Sequence, residues 1–317
     1  MADVKFALVG AGSMGKNHAR TIARNQNAEL ALIVDVDARQ AEECARQYGA
    51  AWSVSLGAIE SVDAVVLASP TPTHRRIALD LIAEGIPILI EKPIATSTAE
   101  VVEVLEAAER AEVPLVCGFV ERFNPVVKTA VDLINLEEEV LHITARRHSP
   151  VTRRSSSSVT WDLLIHDVDL VLQVMRGLEP DHVSGRVLTP SGSSYPEVAD
   201  ATLGFMGAVA SLSSSRISHR KIRDLSITTA KRLYELDLLR QTLTVYKNIY
   251  QEQIAAGMTT YRAETVVDIP FVRHAGEPLE LQLQHFIDAV SGRADLEKER
   301  NGVLLSHAII DTIEEHQ

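Results

Sequence analysis

Short apolar runs and longer amphipathic stretches alternate through the first 120 residues of the chain. Val4-Lys5-Phe6-Ala7-Leu8-Val9 and Glu29-Leu30-Ala31-Leu32-Ile33-Val34-Asp35 read as strands, and similar runs recur at 63–69, 86–91 and 114–119. Stretches with helical spacing separate them, ending near Asn25 and then covering 38–48, 74–84 and 97–111. Strands apolar at nearly every position are buried on both faces, and interleaved helices provide the cover, so this half predicts a parallel α/β sheet. After Phe119 the rhythm changes. A helix opens at 121–125, and strand-type runs at 140–147, 182–188, 199–212 and 222–229 follow with little helix between, which predicts an α+β domain with a largely antiparallel sheet. Residues 161–175, 277–290 and 303–315 read as helices.

A chain of 317 residues suits two domains, at roughly 100 to 200 residues each, and the change of rhythm sets them at 1–120 and 121–317. Composition narrows the function. Apolar residues are 46% and charged residues 23%, with no apolar stretch near the roughly 20 residues that a bilayer crossing needs. Met1 to Phe6 runs straight into a strand and lacks the regions of a signal peptide, so a cytoplasmic protein away from membranes is expected. A net charge of -12 sets the chain against nucleic acid. Cys44 and Cys117 read as reduced packing residues rather than a disulfide. No His, Cys and carboxylate cluster has metal-site spacing, so no metal is expected.

The strand ending at Val9 leads into Gly10-Ala11-Gly12-Ser13-Met14-Gly15 and then a helix. This is the GxGxxG arrangement in its required setting: the first glycine allows the tight turn, the second a close approach of pyrophosphate, the third close helix packing, and the amides at Ser13 and Met14 face the phosphates. Asp35 closes the second strand 20 residues after Gly15, where a carboxylate binds the adenosine ribose hydroxyls. It would repel a 2′-phosphate, which favours NAD over NADP, although Arg39 is a nearby cation. The competing role for Asp35 is a helix cap, which Asp37 provides equally well. The first domain is thus expected to be a doubly wound Rossmann fold. In such a sheet the carboxyl ends of the strands face the cofactor, which places Ser69, Thr71 and His74 on one loop, and Glu91-Lys92-Pro93 on the next, at the ligand edge. His74 reads equally as a helix-start residue or a ligand, and Glu91 as a structural ion pair, with Lys92 or a neighbouring base, or as a ligand contact.

Together these motifs resemble the Gfo/Idh/MocA oxidoreductase family over essentially the whole chain. The residues that carry the resemblance are Gly10, Gly12 and Gly15 with His18, then Asp35, the loop ending in His74, Glu91-Lys92-Pro93, Arg122-Phe123-Asn124-Pro125, and Asp162 with His166. Within the family, 118–169 is similar to UDP-N-acetylglucosamine 3-dehydrogenases and related nucleotide-sugar oxidoreductases, through 121–125, Ala145-Arg146-Arg147 and 162–169. His148-Ser149-Pro150 and Ser155 to Ser158 depart from that pattern. The resemblance implies an open sheet in the second domain, used for substrate binding and for dimer or tetramer contacts.

The chemistry expected is hydride transfer between a secondary sugar hydroxyl and nicotinamide, plausibly at position 3 of UDP-N-acetylglucosamine. Asp162 and His166 are four apart, so one helix would put them on one face. His166 is the expected base for the hydroxyl proton, Lys92 the stabiliser of alkoxide charge, and Asp162 the residue that orients the imidazole or holds a sugar hydroxyl. Arg122, Asn124 and Trp161 are further expected substrate contacts. Arg146, Arg147, Arg153 and Arg154 offer guanidinium forks to a diphosphate. Strand alternation sends Arg146 and Arg147 to opposite faces, so at most one of them joins the substrate and half of the group is surface charge; Arg147 and Arg153 are the expected contacts. The alternatives are a dehydrogenase of inositol or a free sugar, for which these arginines are idle, and a regulatory protein that binds NAD without turnover.

Overall fold

The computed structural model describes residues 3–59, 62–134, 138–151, 157–255 and 258–315. The chain divides into two compact units, Met1–Phe123 with Gly276–Asp311, and Asn124–Ala275 with Thr312–Gln317.

In the first unit, β1 (Val4–Val9), α1 (Ser13–Arg24), β2 (Ala28–Val34), α2 (Ala38–Tyr48), β3 (Ala51–Ser53), β4 (Ala64–Leu67), α3 (His74–Ala83), β5 (Ile88–Ile90), α4 (Thr98–Arg110) and β6 (Leu115–Cys117) follow in order. The strands form a parallel sheet in the order β3-β2-β1-β4-β5-β6. This is the doubly wound arrangement expected, with the order reversing between β1 and β4, where such folds open a ligand crevice. Of the strands in this unit, β3 is the one that sequence patterning missed. At three residues, two of them exposed, it has too little periodicity to register.

The second unit contains α5 (Pro125–Ile134), β7 (Val140–His148), a π-helical turn at Thr160–Leu164, α6 (Ile165–Val174), β8 (His182–Leu188), β9 (Val198–Phe205), β10 (Ala208–Ser215), β11 (Ile222–Thr229), β12 (Leu233–Asp237), β13 (Thr242–Ala255) and β14 (Met258–Asp268). Its eight-stranded sheet runs β14-β13-β12-β11-β7-β10-β9-β8, antiparallel except where β7 meets β10. The apolar run expected at 199–212 is two strands. They turn at Met206-Gly207, and Gly207 has φ +87°, a conformation that glycine adopts without strain. α6 packs against β7 and β10, so Ile143, Ala145 and Arg147 are buried while Thr144 and Arg146 face the other way.

The last two helices, α7 (Pro278–Val290) and α8 (Glu297–Glu315), correct the expected division at 120. Gly276–Asp311 belongs with the first unit, because Leu283, Phe286 and Ile287 of α7 join the core of Phe6, Leu8, Ile22 and Ile33. The Phe6 and Phe286 ring centroids are 6.0 Å apart. Among the described residues no helix is long and apolar enough to cross a membrane. Cys44 and Cys117 are buried thiols that are not joined in a disulfide.

Candidate functional site

The glycine loop is built by close approaches that only glycine permits. Gly10 has φ +95°, and a Cβ there would lie 2.6 Å from the Ala68 carbonyl oxygen; one at Gly15 would lie 1.9 Å from that of Gly10. Both glycines let backbone lie against backbone. Gly12 differs, since a Cβ there would meet nothing within 4 Å, so its bareness leaves space on the open side of the loop. α1 begins there with no side-chain cap and no acid in its first turn, which leaves its first amides for an external anion. By contrast α2 is capped by Asp37, which accepts from the amides of Arg39 and Gln40.

Asp35 is therefore not a cap. Its Oδ2 accepts the Ala11 amide at 2.7 Å and its Oδ1 the Asp37 amide at 2.9 Å. Each oxygen keeps a lone pair, in an orientation set by the glycine loop itself. The bare cradle, the uncapped helix start and the fixed carboxylate together fit a dinucleotide: pyrophosphate at Gly12, Ser13 and Met14, ribose at Asp35. Arg39 bonds Glu43 at 2.9 Å.

At the end of β4, Ser69 and Thr73 hydroxyls are 2.7 Å apart, and Thr73 donates to the Pro70 carbonyl. Ser69 and Thr71 stay partly exposed. His74 does not. It is buried, with Nε2 2.7 Å from the Ser69 carbonyl and Nδ1 3.0 Å from that of Pro93. Burial lowers its pKa, against the pull of the two carbonyls. The helix-start reading holds, since His74 is the first residue of α3, and its imidazole lies between the backbones of the two ligand-edge loops, close to a carbonyl of each.

Glu91 follows β5 and is 7% exposed, with Oε1 2.7 Å from Nε2 of the buried His18. The neighbouring base His18 is thus a buried hydrogen-bond partner of Glu91. A Cβ on Gly118 would fall 2.8 Å from the Glu91 carboxylate, so that glycine makes room for it. Lys92 itself is partly exposed, between buried Glu91 and buried Pro93. The next amide, Ile94, donates to Nε2 of His307 at 3.2 Å, and His307 Nδ1 donates to the Val303 carbonyl at 2.7 Å.

In the second unit, Trp161 and Asp162 lie in the π-helical turn and His166 in the first turn of α6, all three partly exposed. A single α-helix from 161 was expected; the wider π turn, a form frequent at functional sites, alters the simple four-residue relation between Asp162 and His166. Asp162 is held by a residue that the motifs did not indicate. Arg216, just past β10, reaches Asp162 Oδ2 at 3.2 Å, Glu197 Oε2 at 2.9 Å, and the carbonyls of Ser157 and Pro196 at 2.6 and 2.9 Å. Its distance of 54 residues from Asp162 leaves no local signal in the chain.

Most of the expected substrate cations are engaged elsewhere. Arg147 is 2% exposed and bonds Asp167 through Nε and Nη2 at 3.0 and 2.9 Å, so it is a core ion pair between β7 and α6 and not a ligand contact. Arg146 is exposed and grips Asp224 with two bonds. Asn124 is buried, its Oδ1 accepting the Val126 amide and its Nδ2 donating to the Leu238 carbonyl, which makes it a joint at the start of α5 rather than a substrate residue. Arg122 is almost enclosed, its guanidinium 5.0 Å from the Phe119 ring centroid and 3.9 Å from Glu299. Arg153, Arg154, Ser155 and Ser156 lie outside the described residues.

Comparison with known proteins agrees with this geometry. Residues 4–119 match the family model described as "Oxidoreductase family, NAD-binding Rossmann fold". The chain is 27% identical to UDP-N-acetylglucosamine 3-dehydrogenase of Acidithiobacillus ferrooxidans over 92% of its own length and 90% of that protein. It is 34% identical to inositol 2-dehydrogenase of Rhizobium meliloti over 57% of each. A solved structure of the A. ferrooxidans enzyme superposes with a TM-score of 0.84 at 26% identity, covering 99% of this chain and 97% of that one. Residues 4–119 thus carry the NAD-binding Rossmann fold of the Gfo/Idh/MocA oxidoreductase family, and the chain as a whole is similar to dehydrogenases that share this fold.

Proposed function

We propose that the protein is an NAD-dependent dehydrogenase that oxidises a secondary hydroxyl of a nucleotide sugar, at position 3 of UDP-N-acetylglucosamine, to a ketone. The observation that carries the substrate is the match to a UDP-N-acetylglucosamine 3-dehydrogenase over nearly the full length of both chains. The Asp35 carboxylate supports NAD over NADP, since it is fixed where a 2′-phosphate would meet its charge and the nearby Arg39 is bonded to Glu43. When bound, NAD supplies the acceptor for the hydride and its electron pair. His166 takes the hydroxyl proton and returns it in reduction. Lys92 stabilises the charge on the reacting oxygen, and Asp162, held by Arg216, orients the imidazole or a neighbouring hydroxyl. The outer face of the eight-stranded sheet, with Thr144 and Arg146 turned away from the core, serves a homodimer or homotetramer.

A second reading, inositol or a free sugar as substrate, is favoured by the engagement of Arg146 and Arg147 with Asp224 and Asp167, which leaves fewer cations for a diphosphate. It is also the activity named for the relative at 34% identity. NADH absorbance with purified, cofactor-stripped protein separates the two. Turnover of UDP-sugars but not myo-inositol or free hexoses supports the first; the reverse supports the second.

A further inference from the structure

Three buried histidines from three different helices act on one tetrapeptide. His18 of α1 meets the Glu91 carboxylate at 2.7 Å, His74 of α3 the Pro93 carbonyl at 3.0 Å, and His307 of α8 the Ile94 amide at 3.2 Å. The side chains of Glu91, Pro93 and Ile94 are buried, and Lys92 alone of the four is partly exposed. We propose that His18, His74 and His307 form a clamp that fixes the backbone on both sides of Lys92, and that His307 is a positioning residue for this lysine.

The polar character of these side chains carries the argument. A position that served packing alone would be filled more cheaply by an apolar side chain, because a buried imidazole must recover its lost hydration through hydrogen bonds. His307 is fully buried and uses both nitrogens. Donation from Nδ1 to Val303 leaves a lone pair on Nε2, the tautomer that can accept from Ile94. The bond spans 213 residues, so it ties the Lys92 loop to the C-terminal helix. A lysine ends a flexible four-carbon stem, and its ammonium is placed no better than the backbone that carries it. An error of about 1 Å at a reacting group is worth roughly a hundredfold in rate.

The catalytic meaning of the clamp rests on the role proposed for Lys92; the clamp itself does not, and its test needs neither NAD nor sugar. Phenylalanine at 307 keeps a ring beside Phe119, now 6.0 Å away, but cannot accept from Ile94; glutamine can. Hydrogen exchange at the Ile94 amide and acetylation of Lys92 relative to Lys16 in the same sample, both resolved by mass spectrometry, are the readouts. In His307→Phe the amide should exchange at least tenfold faster and Lys92 should react at least threefold faster. His307→Gln should stay within twofold of wild type in both. Wherever turnover is measurable, His307→Phe should lower kcat and leave KM for NAD unchanged. Wild-type behaviour in a folded His307→Phe, or equal effects in both variants, overturns the clamp. If His307→Phe does not fold, the wild-type protein still decides: an Ile94 amide as protected as those of β5 supports the clamp, and one that exchanges like an exposed loop overturns it. A clamp that stands in a protein without turnover sinks only the catalytic reading.

Discussion

Glu91 Oε1 lies 2.7 Å from His18 Nε2, with His18 only 1% exposed and Glu91 7%. The pair joins the helix that begins at the glycine loop to the residue before Lys92, so the cofactor cradle and the lysine share one support. Glu91→Ala leaves a buried imidazole without that partner, which costs about 1–3 kcal/mol. Glu91→Gln keeps a hydrogen-bonding oxygen and should cost less. Urea unfolding of both variants checks the order; equal stability of Glu91→Ala and wild type would show that the pair holds nothing.

The two open-loop glycines should behave differently. Gly10→Ala drives a Cβ into the Ala68 carbonyl at a backbone angle of +95° and should destabilise the fold by more than about 1 kcal/mol. Gly12→Ala meets no protein atom within 4 Å, so stability should stay within about 0.5 kcal/mol while NADH affinity falls at least tenfold, as read by fluorescence titration.

Arg216 gives a prediction for the second unit. Arg216→Ala removes the support of Asp162 and of the Ser157 and Pro196 carbonyls. Displacement of this segment should lower kcat by about a hundredfold, with a smaller change in KM for NAD, whose expected contacts lie in the first unit. Arg216→Lys supplies one charge without the fork and should recover only part of the loss. Steady-state kinetics on the substrate that supports turnover checks both.

Stability should fall in mild acid. Burial, the largest influence on His307, pushes its imidazole down to about 4, with Asp311 pulling it up and Arg122 pushing it down. The unfolded chain takes up this proton near the ordinary pKa of about 6.5. The contribution is therefore complete above that value and declines as pH falls towards 4, where the loss reaches ~3 kcal/mol. His74 is shifted in the same direction by burial and adds to the slope. Denaturant titrations at pH 7, 5.5 and 4.5 measure it, and His307→Gln should show a shallower decline.

Much of the first unit was legible because its signals are local. The glycine loop, Asp35 and the strand-helix alternation all lie within short windows, and alternation along β7 correctly put Arg146 and Arg147 on opposite faces. What the buried face would hold was not legible. Asp167, which takes Arg147, comes from α6 packed on the sheet, and only that packing turns the arginine from a ligand contact into a core ion pair. Arg216, His307 and the His18–Glu91 pair escaped for the same reason, since each joins residues 54, 213 and 73 positions apart. β13 and β14 lacked a clean alternation, and α7 read correctly as a helix but gave no sign of which unit it would pack against.

Deuterium transfer tests the central claim most directly. Cofactor-stripped protein is incubated with NAD and UDP-N-acetylglucosamine deuterated at carbon 3, and the mass of the reduced nucleotide is read. The account predicts NADH one mass unit heavier than from unlabelled substrate, and none formed by His166→Ala or Lys92→Ala. Unlabelled NADH would move the reaction to another carbon, and reduction of NAD by myo-inositol with none by any UDP-sugar would contradict the nucleotide-sugar assignment outright.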